Sequence, residues 1–92
     1  GAFTVIATPA GRSILLPFAN PALATAGSGD VLAGTIVGLR AQGLAAYEAA
    51  LCGAYLHGAA GEMLYHEIGS AGVLAGDLLR QIPRALHALR YP

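Results

Sequence analysis

Apolar positions change their spacing once along this chain, near residue 30. Before that point they come in short runs. Phe3-Thr4-Val5-Ile6-Ala7 is β-branched and aromatic, Thr8-Pro9-Ala10-Gly11-Arg12 is a turn signal, and Ser13-Ile14-Leu15-Leu16-Pro17 is a second run. The pair predicts a β-hairpin. Phe18 to Gly29 is a loop rich in Asn, Pro, Thr, Ser and Gly, and from Asp30 onward the spacing is helical.

Three helices are predicted. The first runs from about Asp30 to Gln42 and stops at Gly43. It is apolar nearly all round (Val31, Leu32, Ile36, Val37, Leu39), the pattern of a helix buried on several sides. Gly34 and Gly38, four apart, predict a groove for close packing against a neighbour. The second helix runs from about Tyr47 to Glu67 and is closed by Gly69. Leu51, Tyr55, Gly58 and Glu62 form one of its stripes, and Ala54, His57, Gly61 and Leu64 another. The third begins near Gly76-Asp77 and reaches Leu89. Leu78, Ile82, Leu86 and Leu89 share a face, Arg80, Arg84 and Arg90 the remainder, and Pro83 should kink it. The local order is β-β-loop-α-α-α.

Composition narrows the function classes. Five basic residues balance five acidic ones and there is no Lys, so no basic stripe exists to grip nucleic acid phosphates. The chain is 55% apolar and 11% charged, which suits a packed core. Its longest uncharged reach is interrupted by Pro17, Asn20 and Pro21, whereas a spanning helix needs about 20 mostly apolar residues. A membrane protein is not expected. The lone Cys52 fits a reducing compartment, and no basic segment followed by an apolar one marks a signal peptide, so a cytoplasmic location is expected. A chain of 92 residues buries only about 60–65% of its unfolded surface, yet this one is rich in residues that favour full burial. It also lacks an initiator Met. Both features suggest a piece of a larger core.

The chemistry concentrates between Asn20 and Gly34, where a glycine-rich turn enters a helix. First-turn amides and the positive end of the helix dipole attract an anion. Gly27 and Gly29 would let backbone approach that anion closely. Asp30 in the same turn could take a proton from a hydroxyl as it attacks a phosphoryl group. The plainer alternative is that Ser28 or Asp30 is an N-cap and the glycines only turn the chain. Asp30 and Asp77 are the only aspartates, and Asp30 heads what the pattern makes the most buried helix, which favours chemistry over capping.

The run Asn20-Pro21-Ala22-Leu23-Ala24-Thr25-Ala26-Gly27-Ser28-Gly29-Asp30-Val31-Leu32-Ala33-Gly34 resembles the C-terminal signature of the ADP/ATP-dependent NAD(P)H-hydrate dehydratases, members of the ribokinase-like superfamily. Gly1–Ala7 with Gly11-Arg12 resembles the strand pair ahead of that signature. Ala41–Leu44, Glu48–Ala50, Tyr55–Gly61 and Leu74–Leu78 resemble its C-terminal helices. The resemblance implies an α/β fold in which residues 1–92 are the C-terminal third of a single three-layer α/β/α domain. It implies nucleotide-driven repair of hydrated NADH or NADPH. A terminal phosphate from ADP or ATP passes to the ring hydroxyl, and the phosphate ester is then eliminated. Asp30 would be the general base and would touch the substrate together with Asn20. The amides of Gly27, Ser28 and Gly29 would hold the transferring phosphoryl group, and Gly1, Ala2, Phe3 and Thr4, with Gly29, would border the nucleotide. Mg²⁺ is implied by the phosphate chemistry, and a homo-oligomer by the family. The family's Lys before the Gly-Ala-x-Thr stretch is absent here, and the fragment alone is expected to be inactive. Gly-x-Gly-Asp is shared with ribokinase-like kinases of vitamins and sugars, although many of those continue with Thr and an aromatic residue where this chain has Val31-Leu32. A small-molecule kinase is therefore the alternative enzyme reading, and a non-catalytic packing module the third.

Other polar residues carry blander expectations. The spacing of His57, His66 and His87 suits no metal site, so each should be a packed or surface histidine. Cys52 should be a small buried hydrophobe, and Glu48, Glu62 and Glu67 solvated helix faces. Asp77 should cap the last helix, with proximity to the nucleotide a lesser possibility. Ser28 has no base placed to make it a nucleophile.

Overall fold

A computed structural model describes residues 4–7, 11, 13–16, 18, 26–69 and 72–91. The hairpin forms as the pattern predicts. Strand β1 (Thr4–Ala7) pairs antiparallel with β2 (Ser13–Leu16), Thr4 opposite Leu16 and Ile6 opposite Ile14. Three helices follow, α1 (Ser28–Ala41), α2 (Ala46–Ile68) and α3 (Ala75–Arg90), within two residues of their predicted bounds.

The helix ends have local causes. Past α1, Gly43 takes φ 104°. Its amide bonds the Arg40 carbonyl at 3.0 Å and that of Leu44 bonds Leu39 at 3.2 Å, the paired closure that a left-handed glycine makes possible. The Arg40 guanidinium also donates to the Leu44 carbonyl at 3.0 Å. α2 stops at Gly69, whose amide bonds Tyr65 at 2.9 Å. α3 opens on Asp77, whose carboxylate accepts from the Leu74 amide at 2.9 Å. The helix continues through Pro83 without a break.

α2 is the central element, packed against α1, α3 and β1. Leu56, Ala60 and Leu64 of α2 join Val73 and, from α3, Leu78 and Ala85 in one core. Of the two stripes, Ala54, His57, Gly61 and Leu64 is the one buried throughout. Two glycines permit close approach. A Cβ on Gly53 would lie 2.6 Å from Ile36 Cγ1 of α1, and one on Gly58 would overlap the Phe18 ring. That ring meets Tyr55 edge-on, with centroids 5.4 Å apart.

Three expectations are corrected here. α1 has no fully buried residue, and Val37 is 67% exposed. α1 lays one side on α2 and meets α3 more lightly, with Val31 and Leu39 half-buried at the core. The most buried helix is α2. Gly34 and Gly38 pack closely against nothing among the described residues, since a Cβ at either meets no atom within 4 Å. On α3 the packed face is Leu78, Gln81 and Ala85, flanked by Ile82 and Leu86, while Leu89 is 51% exposed.

These contacts set the sign of glycine substitutions. Gly53→Ala and Gly58→Ala should each lower unfolding free energy by about 1–3 kcal/mol, as overpacking does. Gly34→Ala, exposed in mid-helix, should raise it by up to about 1 kcal/mol. Urea unfolding midpoints of the three variants check the opposite signs.

Candidate functional site

The chain enters α1 through Gly27, which sits at φ 87°, ψ −3°. A side chain there would be strained whatever the space, and a Cβ would also come 3.0 Å from Ala75 Cβ, at the start of α3. Gly27 is thus the N-cap of α1, pressed against the first turn of α3. Its carbonyl accepts the first helical bond, from Val31 at 3.2 Å.

Ser28, Gly29 and Asp30 are then the first three helical residues. Helix geometry gives the amides at these positions no acceptor within the helix. Gly29 is exposed, and a Cβ there would meet nothing within 4 Å among the described residues. The amide of Asp30 joins those of Ser28 and Gly29 in facing out of the helix end, a donor that reading the glycines alone overlooks.

Asp30 occupies the third helical position, and so does Asp77 in α3. The two carboxylates are used differently. Asp77 accepts the Leu74 amide at 2.9 Å and the Arg80 guanidinium at 2.8 Å. The backbone bond from Leu74 above all, with Arg80 adding to it, holds its carboxyl below the usual carboxylate range, while desolvation opposes. Asp30 is exposed and has no hydrogen bond or ion pair among the described residues. The N-cap of α1 is Gly27, and no side-chain cap closes α1 among the described residues, whereas Asp77 is occupied as a cap.

His57 supplies the connection that the sequence did not reveal. It lies in the middle of α2, buried, and its Nε2–H donates to the Ser28 carbonyl at 3.0 Å. A carbonyl only accepts, so the bond requires a proton on Nε2. Burial pushes the imidazole below its ordinary pKa of 6.5, with the Ser28 bond opposing. The expectation of a packed histidine holds, but its partner is the glycine turn. The available signal was its place on the buried stripe, because a buried imidazole needs a polar partner.

The remaining candidates are less placed. Thr4 opens β1. Gly1, Ala2, Phe3 and Asn20 lie outside the described residues. Cys52 is half-buried. Glu62 lies 3.7 Å from His66, and Glu48 and Glu67 are exposed. Among the described residues no three His, Cys, Asp or Glu side chains are grouped to hold a metal ion, and no helix is long and apolar enough to cross a membrane.

A helix end with a left-handed glycine and a carboxylate that meets no partner among the described residues can hold an anion and accept a proton beside it. The family profile described as NAD(P)H-hydrate dehydratase matches residues 1–84. The chain is 53% identical over 89 residues to the bifunctional NAD(P)H-hydrate repair enzyme Nnr of Moorella thermoacetica, covering 97% of this chain and 17% of that protein. It is 47% identical over 76 residues to the ADP-dependent (S)-NAD(P)H-hydrate dehydratase of Neisseria meningitidis, covering 82% and 26%. Against the enzyme of that same name from Xanthomonas campestris it is 40% identical over 89 residues, covering 97% and 31%. The chain belongs to the NAD(P)H-hydrate dehydratase family, which carries the ribokinase-like fold with it, and it spans less than a third of the length of these relatives.

The buried histidine makes stability depend on pH. Below pH 6.5 the unfolded chain protonates His57 while the folded chain resists, so the unfolded state binds more protons and stability falls as pH drops. Asp77 adds a second fall at lower pH, as its carboxylate is protonated below the ordinary 3.8. Unfolding free energy measured from pH 8 to pH 5 should decline, and His57→Gln should flatten that decline. An unchanged slope in the variant would contradict the assignment.

Proposed function

We propose that residues 1–92 are the C-terminal third of a ribokinase-like α/β/α domain that repairs hydrated NADH or NADPH at the expense of ADP or ATP. The observation that carries the reading is the uncommitted Asp30 carboxylate beside the open first turn of α1, in a chain of this family. The ADP-dependent relatives support ADP as donor.

In this reading the substrate's ring hydroxyl is placed at Asp30. As the hydroxyl oxygen attacks the terminal phosphorus, its proton passes to the Asp30 carboxylate and the bond to the leaving nucleotide oxygen breaks. The amides of Gly27, Ser28 and Gly29, with that of Asp30, face the charge developing on the transferring phosphoryl group. The ester's carbon–oxygen bond then breaks, phosphate leaves with the electron pair, and loss of a proton from the adjacent ring carbon restores the double bond. Gly1, Ala2, Phe3 and Thr4 border the nucleotide in this reading, Gly29 lies against it, and Asn20 contacts the substrate. Mg²⁺ follows from the phosphate chemistry, but the described residues offer no cluster to hold it, and no step is assigned to it. The proposal places the protein in the cytoplasm, consistent with the free Cys52, as a homo-oligomer of the complete domain.

The isolated 92-residue chain should show no turnover, because most of the domain lies outside it. In the complete domain, Asp30→Asn should lower the rate of NADH recovery about 10²–10⁴-fold with ADP affinity nearly unchanged. Equal loss of both would make Asp30 structural. Recovery that needs no nucleotide would overturn the reaction itself.

A further inference from the structure

We infer that His57 is a positioning residue that aims the anion-binding amides at the head of α1. The inference rests on the anion-hole reading above. The Ser28 carbonyl and the Gly29 amide belong to one planar peptide unit and point in opposite directions. Whatever fixes the carbonyl therefore fixes the amide. Within α1 that carbonyl accepts only the amide four residues on, through one lone pair. The His57 Nε2–H, 3.0 Å away, takes the other.

The reinforcement falls where the backbone is softest. Glycines flank Ser28 on both sides, and Gly29 has no Cβ to resist rotation of the peptide unit. First turns of helices also fray readily, and Gly29 itself is exposed. His57 is held from the opposite direction, because it is buried on the central helix and its neighbour Gly58 lies against Phe18. A rigid imidazole thus ties a soft turn to the core. Its role is served by the carbonyl bond and requires no contact with substrate.

The test compares His57→Leu, His57→Gln and Asp30→Asn in the complete domain, with kcat for NADH recovery, KM for ADP and thermal melting measured on each. Leucine removes the donor, whereas the glutamine amide can reach as Nε2 does. His57→Leu should lower kcat about tenfold to a hundredfold, the scale of a misplaced reacting group, with KM for ADP changed little. His57→Gln should recover most of that loss. If Asp30→Asn abolishes turnover while folded His57→Leu keeps its full kcat, the positioning role is wrong and the base assignment survives. If Asp30→Asn has no effect, the functional reading beneath the proposal fails instead. Loss of folding in His57→Leu would leave the wild-type imidazole to decide. Nitrogen-15 NMR should find its proton on Nε2, with a coupling or shift change shared by Gly29 in His57→Gln. A proton on Nδ1 alone would overturn the proposal, since an unprotonated Nε2 cannot bond a carbonyl.

Discussion

Everything in this structure is placed by how closely its parts can approach α2. Gly53 lets Ile36 of α1 into contact, Gly58 admits the Phe18 ring, and Leu56, Ala60 and Leu64 meet α3 through Leu78 and Ala85. His57 sits within that same buried run and reaches the Ser28 carbonyl. The position of the glycine turn is consequently set from two directions. Gly27 is pressed on Ala75 at the head of α3, and Ser28 is bonded to the core. A site on an exposed turn is precise only when its supports are rigid.

The two aspartates show how one helix position can serve different ends. Both are third in their helices, where a carboxylate complements the dipole. Asp77 has turned back to the Leu74 amide and gained Arg80, which completes a cap. Asp30 has neither partner, because the residue before its helix is a left-handed glycine rather than an extended residue like Leu74. That change in backbone entry frees a carboxylate beside outward-facing amides. Residue type and helix position are alike, so the turn geometry is what separates the capping Asp77 from the Asp30 proposed as a base.

Much of this could be read from the sequence. The hairpin followed from the β-branched runs on either side of Pro9-Ala10-Gly11, and the helix ends from Gly43 and Gly69. The motif from Asn20 to Gly34 led to the family before any coordinates. What could not be read was which apolar surface lies inside. α1 is apolar nearly all round, a pattern that states a preference for burial without naming what provides it, and among the described residues α2 and, more lightly, α3 meet it while no residue of α1 is fully buried. Gly34-x-x-x-Gly38 and the isolated Gly53 and Gly58 look equally capable of close packing, yet only the latter two face neighbours. The bond between His57 and Ser28 spans 29 residues, and no local spacing encodes a pairing that depends on how two helices cross.

The central claim is that the head of α1 holds phosphate and the head of α3 does not. Amide chemical shifts of the complete domain, followed while ADP is added, test it within one molecule. The account predicts that Gly29 and Asp30 shift together and saturate together, while Leu74, already occupied by the Asp77 carboxylate, stays in place. Saturating ADP binding that leaves Gly29 and Asp30 unmoved would contradict it.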